Sequence, residues 1–384
     1  MAFALTEEQV MIQTMARDFA REVLLPTAAE RDCTHEFPRE NLLQMGELGF
    51  IGMMVPEQYG GAGADTVSYA LALSEIAYGC ASTAVVVSVH NSICCEAVMR
   101  FGSAEQKQHW LPRMTTGECI GAFALTEPNA GSDPSSQRTT AVQDGDDWVI
   151  NGTKQFITTG QNAGVVIVTA VNDKSKRHRG ISAFLVPQGT PGMVVARLEE
   201  KLGLKASDTA QLVFEDCRVP KANILGKPGE GFKVAMTCLD GGRIGIAAQS
   251  VGVATACLDE AMEFTKTREQ FGRAISDFQG IRWKMADMAV QIEAARLLCL
   301  NAASLKDLGK RYSTEASMAK LFASEMVQQV AGQAIQMHGG YGFSTEYRAE
   351  RHYRDARVFT IYEGTSEIQR TVISNNLLGP PQVR

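Results

Sequence analysis

The nine cysteines of this 384-residue chain include no Cys-x-x-Cys pair, and their number is odd. Neither a zinc site built on paired cysteines nor a complete set of disulfides is therefore expected. Cys94 and Cys95 are adjacent in an apolar stretch of helical character, and both are predicted to be reduced core thiols. The six histidines show no helix-spaced ligand pairs, so no metal site is predicted.

Basic charge is also scarce, since the formal net charge is −6 and the pI is near 5.7. Nucleic acids and anionic membranes bind basic surfaces, so neither is a predicted partner. The apolar stretch Ile76–Val89, about fourteen residues, is too short to span a bilayer and indicates a buried helix. Met1 to Glu8 lack the basic start of a signal peptide and the Arg-rich pattern of a transit peptide. A cytoplasmic location is predicted, or the mitochondrial matrix if the chain is a processed form.

Two nucleotide-binding motifs are missing as well. The sequence contains no Walker A motif, and no predicted strand leads through Gly-x-Gly-x-x-Gly into a helix. The glycines at 60–63 lack the flanking strand. A nucleotide cofactor would therefore have to lie between domains.

A chain of this length with 45% hydrophobic residues can form two or three domains. Helical patterns dominate both ends, and short β-branched runs separated by turn residues occupy the middle. The predicted fold is multidomain α+β: an N-terminal helical domain (1–120), a mainly antiparallel β-barrel or sandwich domain (121–230), and a C-terminal four-helix bundle (231–384). The predicted bundle helices are Phe232–Thr267, Asp277–Lys306 and Thr314–His338.

Glu363 is the candidate catalytic base. It precedes Gly364, a residue that allows close approach to the backbone, and a predicted helix start. Ser366 and Gln369 have capping-box spacing, so Glu363 would lie on a fixed turn just outside a helix. A glutamate at such a position most often only complements the helix dipole, and its assignment as a base depends on the motifs upstream.

Five motifs follow one another along the chain: Leu125–Asp133 (LTEPNAGSD), Asn151–Thr158 (NGTKQFIT), Arg268–Gly272 (REQFG) with Gln279, Gln336–Gly340 (QMHGG) and Tyr362–Ser366 (YEGTS). Together they resemble the acyl-CoA dehydrogenase family over nearly the whole chain, most closely its short-chain (butyryl-CoA) and short branched-chain members. The resemblance implies three domains, FAD, a homotetramer, α,β-desaturation of an acyl-CoA thioester and electron transfer to an electron-transfer flavoprotein. Its members act in fatty acid β-oxidation and branched-chain amino acid degradation.

The resemblance also implies roles for individual residues. Glu363 would remove the α proton, while its backbone N–H and a ribityl hydroxyl of FAD bind the thioester oxygen. The implied FAD contacts are Leu125, Thr126, Ser132, Phe156, Thr158, Arg268, Phe271, Gln279, Gln336, Gly340, Thr365 and Glu367. Arg268 would clamp the pyrophosphate, and Gln336 and Gly340 would act partly across a dimer. A Thr or Ser taken alone would more often cap a turn, and Glu367 could equally be a charge of the first helical turn.

Substrate contacts are implied in the same way, by Ser132, Phe232, Asp240, Arg243, Tyr362, Gly364, Val85, Val86 and Val89. The three valines should shorten the acyl cavity, which predicts a short acyl chain. The predicted helix that contains these valines has no arginine before Arg100. An arginine there would pair with the distal carboxylate of a dicarboxylic substrate, so its absence disfavours such a substrate. Butyryl, isobutyryl and 2-methylbutyryl groups are not separated, because one methylene changes binding by only about 1–3 kcal/mol.

Four alternatives remain open. Some relatives carry the base on the helix near residue 241, where this chain has glycine, and Asp240 would be the only carboxylate nearby. Asp240 and Arg243 could also form an ordinary salt bridge. The whole protein could be a flavin-dependent oxidase of the same fold, or a non-catalytic nucleic-acid- or acyl-CoA-binding relative.

Overall fold

The first part of the chain is helical. A computed structural model describes residues 4–380. Its first helices are α1 (Glu7–Phe19), α2 (Leu25–Thr34), α3 (Arg39–Glu47), α4 (Thr66–Gly79), α5 (Ala81–Val89), α6 (Glu96–Phe101) and α7 (Ala104–Thr115). The capping box expected at the start of α1 is present, with Thr6 Oγ1 accepting from the Gln9 backbone and the Gln9 side chain accepting from Thr6 N–H.

The apolar stretch Ile76–Val89, predicted as one buried helix, is divided between two, because α4 ends at Gly79 and α5 begins at Ala81. A π-helical turn at His90–Cys95 joins α5 to α6, so one helix runs from Ala81 to Phe101. Its length and composition would allow it to cross a membrane, but 89% of its apolar window is buried inside the protein. Cys94 and Cys95 are buried free thiols within it, as predicted.

The middle of the chain forms a mixed sheet. Its strands are β1 (Gly121–Ala124), β2 (Thr140–Asp144), β3 (Asp147–Thr158), β4 (Val165–Val171), β5 (Ile181–Pro187), β6 (Met193–Leu198), β7 (Thr209–Pro220) and β8 (Ile224–Leu225). The order is β6-β7-β3-β2-β4-β5-β8, with β1 beside β4. β1 and β2 are parallel to β4 and the other pairs are antiparallel. Trp148 and Phe184, with ring centroids 5.4 Å apart, are in a core that belongs to this domain alone.

The C-terminal part is helical again. It contains α8 (Gly231–Thr267), a hairpin of β9 (Glu269–Gln270) and β10 (Arg273–Ala274), then α9 (Gln279–Asp307), α10 (Ser313–His338), α11 (Ala349–Ala356) and α12 (Ser366–Leu378). The predicted bundle helices agree with α8, α9 and α10 to within a turn. Helix α8 packs against α10, α9 and α4, so the N- and C-terminal helices share one apolar core.

Close contacts join the three parts. Ser74 Oγ of α4 donates to Ala248 O of α8 at 2.9 Å. Asp355, at the end of α11, accepts from Leu204 N at 2.6 Å, in the segment between β6 and β7. The neighbouring Arg354 pairs with Asp32 of α2 at 2.7 Å. Two consecutive residues of α11 therefore attach both other domains to the C-terminal one.

The cap of the last helix differs from the prediction. Thr365, rather than Ser366, is the N-cap of α12, and its hydroxyl accepts from Ile368 N. Thr365 has extended backbone angles, whereas Ser366 is already the first helical residue. The predicted Ser366–Gln369 capping box is therefore wrong, although Glu363 does lie on a turn just before the helix.

Candidate active site

Glu363 lies on a turn that its neighbours hold in an unusual conformation. Glu363 has φ 52° and Gly364 φ 94°, both in the left-handed region that a glutamate rarely adopts. The Gln369 amide donates to Glu363 O at 3.2 Å and to Gly364 O at 2.9 Å. Lys320 Nζ, from α10, also donates to Gly364 O at 2.8 Å. These contacts offset the strain of the turn and hold the backbone of Glu363 and Gly364 in this conformation.

The Glu363 carboxyl group is buried without a hydrogen-bond partner among residues 4–380. Burial raises its pKa to about 7, although the nearby Lys320 and Arg243 charges lower it. Gly242 of α8 faces the carboxylate, and a Cβ there would overlap Oε2. An unpaired carboxyl group that titrates near neutrality is suited to proton abstraction.

Tyr362 and Gln249 form a polar contact beside this turn. The Tyr362 hydroxyl donates to Gln249 Oε1 at 2.9 Å, and Gln249 Nε2 donates to Ala81 O at 2.9 Å. The contact joins the turn, α8 and the start of α5. Val85, Val86 and Val89 are all buried farther along α5. Their role in shortening the acyl cavity stays a prediction.

Asp240 and Arg243 form a salt bridge on α8. Arg243 Nη1 lies 2.6 Å from Asp240 Oδ1, which also accepts from Ser313 Oγ at 2.9 Å. Arg243 is buried, which lowers its pKa, and its charge acts on Glu363. The salt bridge that the sequence left open is present, and contact of either residue with CoA stays a prediction. Phe232 packs near His178, with centroids 5.5 Å apart.

A buried ion pair holds the loop after β1. Lys154 of β3 is fully buried, and its Nζ donates to Glu127 Oε1 at 2.8 Å and to Leu125 O at 3.0 Å. Glu127 also accepts from the backbone N–H groups of Arg138 and Thr139. Burial raises the pKa of Glu127, but Lys154 and these donors lower it below its ordinary value overall. The pair thus fixes the loop that carries Thr126 and Ser132.

Two aromatic residues that the family resemblance assigns to FAD binding have exposed rings. Phe156 lies at a bulge of β3 with φ 58° and is 61% exposed, and Thr158 ends the same strand. Phe271, between β9 and β10, has φ 55° and is 94% exposed. Large apolar rings at left-handed positions are rare and are found at functional sites. Both rings could pack against a planar ligand.

Arg268 lines a cavity of about 620 Å³ at the end of α8, together with Gln270, the segment 337–341 and other residues. Its guanidinium lies 5.6 Å from the Tyr341 ring centroid. Gly340 is exposed, with no other residue near the position of a Cβ. A cation and an open glycine in a cavity fit a phosphate-bearing ligand. The chemistry of these residues and of Phe156 and Phe271 suits FAD, while their contact with one FAD molecule stays a prediction.

The remaining candidates are distributed over several surfaces. Gln279 is exposed at the first position of α9, and Gln336 of α10 lines a different cavity, with Lys284 and Asp287. Thr365 and the exposed Glu367 lie at the start of α12. Within this one chain, Gln336 and Gly340 do not share a cavity. Their contact with one FAD stays a prediction, as do the other contacts with ligand.

Sequence reasoning missed Lys320 and Gln249 as residues that position Glu363, and it assigned Gln369 to a capping box instead of to its contacts with the carbonyls of the turn. Each is buried and polar, and each contacts the turn through its side chain or through Tyr362. Lys320 offered a signal, since it is a lysine on the buried face of an apolar helix, where charges are rare unless paired. Gln249 carries no local signal, because glutamines are common in helices.

Comparison with known proteins agrees with this geometry. Family models for the N-terminal, middle and C-terminal domains of acyl-CoA dehydrogenases match residues 6–118, 122–217 and 229–378. The chain belongs to the acyl-CoA dehydrogenase family. It is 51% identical to the mitochondrial short-chain specific acyl-CoA dehydrogenase of Rattus norvegicus over 374 residues, covering 97% of this chain and 91% of that protein.

Solved structures of this family are equally similar. Butyryl-CoA dehydrogenase from Megasphaera elsdenii is 44% identical, with a TM-score of 0.96 over 98% of this chain and 100% of that one. A chain from a structural study of the electron transferring flavoprotein of Acidaminococcus fermentans is 50% identical, with a TM-score of 0.97 and the same coverage. The order of helical, sheet and helical domains is thereby confirmed.

Proposed function

We propose that this protein is an FAD-dependent dehydrogenase of short-chain acyl-CoA thioesters, producing the trans-2-enoyl-CoA. The observation that carries the proposal is the Glu363 carboxyl group, which is buried on a strained turn, has no hydrogen-bond partner in the described part of the chain, and has a pKa raised to about 7. The similarity to short-chain and butyryl-CoA dehydrogenases supports the substrate class.

The residues of the chain divide the reaction between them. Glu363 removes the proton alpha to the thioester carbonyl, and its own backbone N–H is available to bind the thioester oxygen. Substrate that displaces water keeps the carboxyl group in a low dielectric, which preserves its raised pKa. Phe156, Thr158 and the loop held by Lys154 would hold the flavin ring, and Arg268 the pyrophosphate. When bound, FAD supplies the acceptor for the hydride from the β carbon.

Assembly into a homotetramer is part of the proposal. Trp283, Val290 and Leu297 are seven residues apart on α9, and they are 61%, 70% and 39% exposed. This spacing places them along one helix face, and an exposed apolar stripe is typical of a surface covered by another subunit. Electron-transfer flavoprotein is the proposed electron acceptor, supported by the similarity to the Acidaminococcus fermentans chain. A cytoplasmic location is proposed from the bacterial relatives.

Anaerobic mixing with butyryl-CoA tests this function directly. The wild-type flavoprotein should bleach, and Glu363→Gln should bleach about 10²- to 10⁴-fold more slowly. Glutamine is nearly isosteric and keeps the backbone donor, so the variant should still bind FAD and butyryl-CoA. Rapid-mixing absorbance gives the rate, and a binding titration gives the affinity.

Asp240→Asn is the control for the position of the base. It should leave reduction of the bound complex largely intact. Near-normal bleaching by Glu363→Gln together with an inactive Asp240→Asn would place the base on α8. Rapid return of colour in air, without an added acceptor, would instead identify an oxidase.

A further inference from the structure

Lys320 is a buried lysine for which the proposed chemistry has no direct use. It lies on α10 with its side chain fully buried, and its one hydrogen bond within residues 4–380 goes to Gly364 O at 2.8 Å. No carboxylate of that range forms a salt bridge with it, although buried lysines are normally paired. Its closest functional neighbour is thus the turn of Glu363, whose carboxyl group also has no hydrogen-bond partner among the described residues.

The geometry gives Lys320 two effects on that turn. Together with Gln369, it binds the carbonyl of Gly364 and so holds two consecutive residues at positive φ. Its ammonium group also adds a positive charge in a region from which water is excluded, where charges interact over longer distances than in solvent. The first effect is mechanical and needs only a donor. The second needs the charge.

We propose that Lys320 is a positioning residue for the base: its hydrogen bond holds the Glu363–Gly364 turn, and its charge favours the ionised form of the Glu363 carboxyl group without contacting it. This inference depends on the proposed role of Glu363. Lys320 is not itself a proton donor or acceptor for the substrate.

The surrounding charges agree with this role. Burial raises the pKa of Glu363 to about 7, and Lys320 and then Arg243 of α8 oppose that rise. Burial lowers the pKa of Lys320 to about 8; Glu363 raises it, Arg243 lowers it, and Glu325 of α10 and Glu367 of α12 raise it. Glu363 also acts on the buried hydroxyls of Tyr69, on α4, and Tyr362. The charges of Lys320 and Glu363 thus each favour the ionised form of the other group.

The test separates charge from hydrogen bonding. Lys320→Gln keeps a donor without the charge, Lys320→Met removes both, and Lys320→Arg keeps both. For each flavoprotein, the pH dependence of flavin reduction by butyryl-CoA is measured between about pH 6 and 9. Exchange of the substrate α protons in deuterated buffer, followed by mass spectrometry, reports on the base independently of flavin colour. Lys310→Gln, an exposed site, controls for loss of one charge.

Removing the Lys320 charge should make Glu363 harder to ionise. The acidic limb of both profiles should then move up by about one pH unit in Lys320→Gln and Lys320→Met. Lys320→Arg and Lys310→Gln should keep the wild-type limb. The affinity for butyryl-CoA should change little in Lys320→Gln.

An unshifted limb in a folded Lys320→Gln enzyme, with only a lower Tm, would reduce Lys320 to a structural residue and overturn the inference. Failure of both neutral variants to fold with FAD, beside a normal Lys320→Arg, would overturn it too, because the fold alone would then require the cation. A wild-type enzyme that butyryl-CoA does not bleach would contradict the proposed function instead, so the two failures are distinguishable.

Discussion

At the scale of single residues, Gly242 determines whether the base fits. A Cβ at this position would overlap Glu363 Oε2, whereas a Cβ at Gly241 would meet its nearest atoms, Lys306 Nζ and Ser92 O, only at 3.4 Å. Gly242→Ala should therefore displace the carboxyl group and slow flavin reduction at least about 10²-fold, which is the usual effect of losing a general base.

Gly241→Ala is the matched control on the same helix. It adds the same methyl group and the same gain in helix propensity, about 1 kcal/mol, without touching Glu363. Its reduction rate should stay within a few-fold of wild type. Equal losses in the two variants would show that α8 tolerates no side chain there, rather than that Gly242 makes room for the base.

The raised pKa of Glu363 also predicts how stability depends on pH. The folded carboxyl group has a pKa of about 7 against an ordinary value of 4.5, so the folded state holds its proton over a range in which the unfolded chain has lost it. Unfolding free energy should therefore fall as pH rises between these values, by up to roughly 3 kcal/mol. Glutamine does not titrate, so Glu363→Gln should gain Tm relative to wild type as pH rises from about 5 to 8.

Thermal unfolding of FAD-saturated protein at several pH values measures this difference. Glu8→Gln, an exposed site on α1, should show no such trend. A constant difference between Glu363→Gln and wild type across the range would mean that the Glu363 carboxyl group is not buried in the folded protein.

At the scale of elements, Lys154 connects β3 to the loop after β1. Lys154→Met should leave Glu127 as a buried, unpaired carboxylate, which costs about 3–5 kcal/mol. The loop from Leu125 to Thr139 should loosen, and FAD should be lost more readily on gel filtration. Urea unfolding gives the free energy.

The double variant Lys154→Met/Glu127→Gln tests whether the two side chains stabilise the protein as a pair or independently. It removes the uncompensated charge and keeps one acceptor for the backbone N–H groups, so it should recover part of the lost stability. Additive losses in the double variant would argue that the two side chains act independently.

The helices and strands could be predicted from the sequence more fully than the contacts between them. The bundle helices follow from apolar spacing, and the sheet from β-branched runs between turn residues, because both patterns are local. The cap of α12 was misplaced by one residue because Thr365 and Ser366 are both good caps, and only backbone geometry selects between them. Lys320 was missed because its partner is 44 residues away, a distance that only the packing of α10 against the turn makes short.

At the scale of the whole molecule, the proposed homotetramer would bury the apolar stripe of α9. Trp283→Glu should place a charge in a subunit contact and shift sedimentation toward smaller species. If residues of two subunits bind one FAD at that interface, flavin should be released as the subunits separate. Val142→Glu, at an apolar position 63% exposed on β2 of the middle domain, is the control and should sediment like wild type. A monomeric wild-type protein that keeps stoichiometric FAD at nanomolar concentration would rule out the shared site.

The single core shared by the N- and C-terminal helices has a consequence for synthesis on the ribosome. Ser74 and Ala248, which hold α4 against α8, are 174 residues apart in the chain. At a translation rate of about 5–20 residues per second, roughly 10 to 35 seconds separate the synthesis of α4 from that of its partner α8. The nascent polypeptide therefore presents uncovered apolar helices throughout translation of the β domain, and fragments ending there should be substrates for chaperones and proteases rather than stable domains.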